Sequence, residues 1–351
     1  MIKINMNKIE LKSQRLDFFD IARFFAIFGV IVVHVGQNSL PSLFFGDLHN
    51  FGRFGVQLFF IISGATVYLT YNRGIKISNY LLIFYIKRFF RIIPLFVIMA
   101  IIYFFLDDKP FFNSILPWSG INPSAYNNIE GGWSIWNEMY FYLIFPLYYK
   151  FRTSKIFNII LPLLFVLISI LINFRFFGII VDSEILLDFD YLNFFTQFVC
   201  FVVGVEFLGK NYFNLASYVI TYFFIGFIIK YFFFNDMLLV ADYGALYWTP
   251  LIALTCLGFI ISIKLIINYP LFKNLKYLSF LGQKTYTTYM IHFLIIRLLN
   301  NFNISYVFEI QLIIVTILSF LITILIEKYT EQIWSSIGYK IIVKYKLKSK
   351  T

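Results

Sequence analysis

Asp20, Arg23 and His34 stand in one apolar stretch, Asp-Ile-Ala-Arg-Phe-Phe-Ala-Ile-Phe-Gly-Val-Ile-Val-Val-His, where ionisable groups are costly to keep. Wound as a helix, the step from Arg23 to His34 advances about 1,100°, close to three full turns. Both therefore fall on one face, about 16 Å apart along the axis. Asp20 and Arg23 are i,i+3 neighbours and can pair. A charge at the centre of an apolar span costs about 2.5–3.5 kcal/mol on the mildest scale, so such groups are kept where they face partners, water or substrate. The competing reading is a buried polar clamp between helices.

Three further pieces carry chemistry. Lys87-Arg88-Phe89-Phe90-Arg91-Ile92-Ile93-Pro94 places Arg88 and Arg91 on one helix face. This is either positive anchoring at a membrane surface or a fork of guanidiniums suited to phosphate groups. Gly132-Trp133-Ser134-Ile135-Trp136-Asn137-Glu138-Met139-Tyr140-Phe141-Tyr142 places Glu138 at the outer opening of a span, either as a working carboxylate or as an acid favoured near a helix start, with Tyr142 one turn further in. Leu281-Gly282-Gln283-Lys284-Thr285-Tyr286-Thr287-Thr288-Tyr289-Met290-Ile291-His292 holds a second histidine, read as hydrogen-bonded to a neighbouring helix.

The elements that must position these groups are membrane helices. The chain of 351 residues is 60% hydrophobic and only 13% charged, where soluble domains run near a quarter charged. Apolar runs predict ten spans near 18–37, 54–72, 80–106, 133–149, 156–174, 192–208, 212–233, 245–267, 280–299 and 306–326. The expected fold is an all-α polytopic integral membrane protein with both termini cytoplasmic. It forms a single domain over 1–351, with short basic tails at about 1–16 and 335–351 and no soluble domain. Most basic residues then fall on the inner side, among them Arg73, Lys76, Lys87, Lys150, Arg152, Lys155 and Lys210. The net charge of +11 is thus a topology signal, with a basic tail suited to an anionic leaflet, and no nucleic-acid partner is expected. The apolar run after residue 16 is too long for a cleaved signal peptide. Cys200 and Cys256 fall inside spans as packing residues, and with three histidines no metal site is expected.

Taken in order, the four pieces resemble the acyltransferase-3 family of membrane acyltransferases. Asp20, Arg23 and His34 look like the family's Asp-x-x-Arg and following His. Gly55-Val56-Gln57-Leu58-Phe59-Phe60-Ile61-Ile62-Ser63-Gly64 resembles its Phe-Phe-x-x-Ser-Gly segment. Arg88-x-x-Arg91 resembles its Arg-x-x-Arg motif, and Trp133-Ser134 with Glu138 its Trp-Ser-x-x-x-Glu. Gly282 through Tyr289 and His292 resembles its late Gly-x-x-Ser-Tyr-x-x-Tyr-x-x-His pattern, with Thr285 in place of serine. Ile21 replaces a common glycine and Asn137 is atypical, but neither touches a group assigned to chemistry. The hydrolase-like domain that some relatives append is not expected here.

The resemblance implies transfer of an acyl group, most often acetyl, from cytoplasmic acetyl-CoA to a hydroxyl of a polysaccharide or lipopolysaccharide sugar, in the bacterial cytoplasmic (inner) membrane. Acetyl-CoA, or another acyl-CoA, is a donor substrate, with no cofactor held permanently. The expected partners are acyl-CoA, an envelope glycan or lipid-linked sugar, and the bilayer. In this reading Arg88 and Arg91 hold the donor's phosphates with Arg23 nearby. Asp20 orients Arg23, His34 is base or acyl relay, and Glu138 orients His34 or handles the acceptor proton. Other readings are acylation of a small secreted molecule, a transporter or flippase of a lipid-linked sugar, and a non-catalytic scaffold. No internal repeat of the kind transporters show is present.

Overall fold

The computed structural model describes residues 16–43, 52–77, 79–107, 111–121, 128–173, 191–233, 245–302 and 306–348. Most of the basic N-terminal tail and nearly all of the expected outer loop at 175–191 lie outside these residues. In the first half, α1 spans Asp17–Asn38, α2 Gly55–Gly74, α3 Tyr80–Asp107, α4 Phe111–Ile115, α5 Trp118–Ile121, α6 Gly132–Phe151 and α7 Lys155–Asn173. In the second, α8 spans Phe194–Gly209, α9 Tyr212–Phe233, α10 Ala245–Ile266, α11 Lys276–Gly282, α12 Thr285–Asn301, α13 Phe308–Glu327 and α14 Ile333–Lys348. A π-helical turn, Lys328–Gln332, joins the last two.

By length and composition, five helical stretches among the described residues can cross a membrane: Asp17–Asn38, Gly52–Gly74, Tyr80–Leu106, Trp248–Ile266 and Phe308–Lys344. Shorter apolar helices cover Lys155–Leu171, Phe194–Gly209 and Tyr212–Ile228. The two other expected spans, α6 and α12, are helices as well. Each is diluted by the polar groups it carries, Glu138 and Asn137 in one, three threonines and His292 in the other.

The bundle is organised around α1 and α2. Helix α1 packs against α2, α10, α11, α12 and α13, so every side of it meets protein. Its aliphatic face, including Ile21, Ala22, Ala26, Ile27 and Ile31, is buried. Helix α2 lies against α8 at a crossing built on glycine. A Cβ on Gly64 would run into the carbonyl of Phe201, and one on Gly204 into the carbonyl of Ile61. Small residues at such a crossing let two backbones touch where water supplies no driving force between helices.

One end of the bundle is tied by buried charge. Glu206 of α8 is fully buried and takes Arg152 on both carboxylate oxygens, at 3.1 and 2.6 Å, with the Tyr148 hydroxyl at 2.5 Å. The Arg152 carbonyl in turn accepts from Asn158 and Asn214 at 2.6 and 2.5 Å. A buried ion pair holds only with its remaining valences met, and here α6, α7, α8 and α9 meet them together.

Candidate active site

Helices α1, α2, α3, α6 and α12 enclose a cavity of about 80 Å³. A water needs roughly 10–15 Å³ by this measure, so the space suits a small polar group with its solvent. Arg23, Arg88 and Arg91 line it, with Ser63, Thr66, Glu138, Tyr142 and Tyr289. The three arginines come from two helices, and their convergence is the first tertiary result that matters for chemistry.

Each arginine is held differently. Arg23 donates to Asp20 at 2.5 Å, the i,i+3 pair expected from the sequence, and reaches Thr66 Oγ1 at 3.4 Å. Arg91 is accessible and makes no ion pair among the described residues, although Glu331, Glu138 and Asp20 all act on it electrostatically. Arg88 donates to Thr70 Oγ1 at 3.1 Å and to the Tyr142 hydroxyl at 3.5 Å. Its guanidinium also lies 4.7 Å from the centre of the Tyr142 ring, a cation–π contact.

Glu138 sits on the same cavity. Its Oε1 accepts from Ser63 Oγ at 2.6 Å and from the Tyr142 hydroxyl, and Ser63 lies 3.0 Å from that hydroxyl. Among the described residues Glu138 makes no hydrogen bond to His34. Glu138 projects from α6 towards α2 and α3, and its carboxylate is engaged among the arginines.

His34 lies outside the cavity, further along α1. Its Nδ1 meets Gln37 Oε1 at 3.1 Å, and its ring packs on Phe293 at 4.4 Å between centroids. With Nδ1–H donating to Gln37, Nε2 keeps its lone pair, which is the form a general base requires. Gln37 stands three residues on along the same helix. His292 stands 5.7 Å away, ring to ring.

Tyr289 stands between the two regions. Ser134 Oγ donates to the Tyr289 hydroxyl at 2.8 Å, and Tyr289 donates to the Gly131 carbonyl at 3.0 Å. The Tyr289 ring borders the cavity on one side and lies 5.6 Å from the His292 ring on the other. Gly282 keeps α11 tight against α1 here, since a Cβ would collide with the Asp20 carbonyl.

Residues 16–328 match the family model described as an acyltransferase domain, that of acyltransferase-3. The chain belongs to the acyltransferase-3 family. Neither a curated protein nor a solved structure matches it. An acyltransferase must hold an acyl donor and activate an acceptor, and this one separates an arginine cavity from a histidine on the same helix. Ser63 and Tyr142 were visible in the motif segments but had no assigned role. Tyr142 follows Glu138 by four residues, a same-face spacing that could have flagged it. Among the described residues no group of three His, Cys, Asp or Glu side chains is placed to hold a metal ion.

Proposed function

We propose that this membrane acyltransferase moves an acetyl group from cytoplasmic acetyl-CoA to a hydroxyl of an envelope polysaccharide or lipopolysaccharide sugar. It would do so in the bacterial inner membrane, with ten spans and both termini in the cytoplasm. The observation that carries the reading is the convergence of Arg23, Arg88 and Arg91 on one cavity, with His34 on the same helix as Arg23. Guanidiniums at a mouth suit the phosphates of a nucleotide thioester, and an imidazole with a free Nε2 suits a hydroxyl.

In this reading Arg88 and Arg91 hold the donor phosphates, and Asp20 fixes Arg23 beside them. The flexible arm of the donor carries its thioester past Tyr289 towards His34, about 16 Å along α1. His34 Nε2 takes the proton of the acceptor hydroxyl as the oxygen bonds to the acyl carbon. The carbon–sulfur bond breaks, and the thiolate leaves and is reprotonated. Glu138, bonded to Ser63 and Tyr142, neutralises part of the arginine charge and keeps Tyr142 under Arg88.

The test is the ester content of purified surface polysaccharide by proton NMR. A deletion strain is compared with the same strain carrying wild type or His34→Ala. O-acetyl signals are expected to vanish on deletion and return only with wild type, while His34→Ala accumulates in the membrane at wild-type level. Full ester content with His34→Ala would remove His34 from the reaction. Unchanged esters in the deletion strain would remove this acceptor class.

A further inference from the structure

Helix α12 carries a histidine that the scheme above leaves idle. His292 is fully buried, and neither ring nitrogen has a hydrogen-bond partner among the described residues. The carbonyls of Thr288 and Tyr289, one turn back, act on the ring but are already part of the helical ladder. A neutral imidazole has one donor and one acceptor, and each left unmet in a protein interior costs on the order of 1–3 kcal/mol. A plain apolar ring would pack there without that cost.

Beside it, besides Tyr289 whose hydroxyl is bonded to Ser134 and Gly131, stands His34. The two histidine rings lie 5.7 Å apart at 40°, and both rest on Phe293, at 4.4 and 4.0 Å. From that spacing a small reorientation brings a nitrogen of one ring onto a nitrogen of the other. His34 also has a need that its own helix leaves unmet. A base that takes a proton becomes an imidazolium, which acyl-transfer sites usually stabilise with a carboxylate. Asp20 is engaged by Arg23, Glu138 by Ser63 and Tyr142, and Gln37 supplies only a neutral oxygen at Nδ1.

We infer that His292 is a positioning residue for His34: its ring lone pair accepts the hydrogen bond of the Nε2–H that His34 acquires from the acceptor. The inference rests on His34 being the base of the proposed transfer. The proton leaves the acceptor hydroxyl as its oxygen bonds to the acyl carbon. It stays on His34 Nε2, the ring turning to direct it at His292 while the carbon–sulfur bond breaks, and turning back to pass it to the thiolate. His292 is neither acylated nor left with a net proton. A neutral ring does here what a buried carboxylate does elsewhere, without placing a second charge inside the bundle.

The chain has three histidines, His34, His49 and His292, so a spectrum of imidazole-¹⁵N-labelled protein contains three rings assignable by substitution. Purified wild type is compared with His292→Gln, which keeps an acceptor, and His292→Phe, which keeps a ring without one. With His292→Phe, kcat for acetyl transfer is expected to fall about 100-fold, with KM for acetyl-CoA within about twofold of wild type. His292→Gln should recover about tenfold of that loss. The His34 ring resonances should shift in His292→Phe at constant pH. Where phenylalanine prevents accumulation in the membrane, His292→Leu takes its place in every comparison. Wild-type turnover in the apolar variant, equal turnover in the apolar and glutamine variants, or unmoved His34 resonances would each overturn the inference. If wild type itself transferred no acetyl group, the proposed reaction would fall, and the His34 resonances would still decide whether the two rings are paired.

Discussion

Arg88 lines the cavity without an ion pair among the described residues, held only by hydroxyls and aromatic rings. Arg23 would have to loosen its pair with Asp20 to take up a phosphate, and Arg91 already feels three carboxylates. Arg88 touches two hydroxyls and an aromatic face, and a phosphate can displace the hydroxyls without breaking an ion pair. A hydrogen bond to a charged group contributes about 1.5–3 kcal/mol, so Arg88→Ala is expected to raise KM for acetyl-CoA roughly 10- to 100-fold with kcat little changed. Arg88→Lys should recover little, since an ammonium cannot reproduce the planar fork or its stacking on Tyr142. Arg91→Ala should weaken the donor less. Initial rates in membrane vesicles against acetyl-CoA concentration check all three, and unchanged donor dependence in Arg88→Ala would contradict the assignment. Of these residues, the Asp20–Arg23 pair was legible in the sequence because it lies within one helical turn. The Glu138–Ser63 bond was not, because it joins side chains 75 positions apart on different helices, and helical periodicity reports only a residue's own face.

At the scale of elements, helix existence was readable and helix contact was not. Every apolar run became helical, since burying a backbone in lipid requires internal hydrogen bonding. The run at 280–299 nevertheless breaks between α11 and α12, and the last continues through the π turn to Lys344. What no run length could convey is that α2 and α8 would meet at Gly64 and Gly204. That crossing sets where Ser63, next to Gly64, stands against Glu138. Gly204→Val should push the helices apart, an overpacking cost of about 1–3 kcal/mol. It should lower the melting temperature in detergent and also reduce transfer through the displaced Ser63. Gly258 of α10 is the internal control, because a Cβ there meets nothing within 4 Å. Gly258→Ala is expected to leave melting unchanged or raise it slightly, since alanine is favoured over glycine in a helix by about 1 kcal/mol. Equal melting of Gly204→Val and wild type would show that the crossing is not tight.

At the scale of the whole molecule, the contacts at the two ends of the bundle bear on its orientation. At one end Arg88 of α3 meets Thr70 of α2, Tyr149 of α6 meets Asn72 of α2, and Arg152 after α6 meets Glu206 of α8. At the other end Asn300 of α12 meets Asn38 of α1, and Ser42 after α1 meets Glu309 of α13. Counting α1, α2, α3, α6, α7, α8, α9, α10, α12 and α13 as successive crossings, every one of these contacts joins ends on the same face. The first face gathers Arg73, Lys76, Lys87, Lys150, Arg152, Lys155 and Lys210, as a cytoplasmic surface should. The five long apolar stretches taken alone are an odd number and would put the two termini on opposite sides. The proposed ten crossings would put them on the same side, with the Arg88 end of the cavity facing the proposed donor. Fusions decide between the two. Green fluorescent protein after Thr351 is expected to fluoresce, alkaline phosphatase at that position to be inactive, and phosphatase fused after Asn38 to be active. Active phosphatase after Thr351 would break the even count. An inactive fusion after Asn38 would place the arginines on the outer face, away from any cytoplasmic thioester.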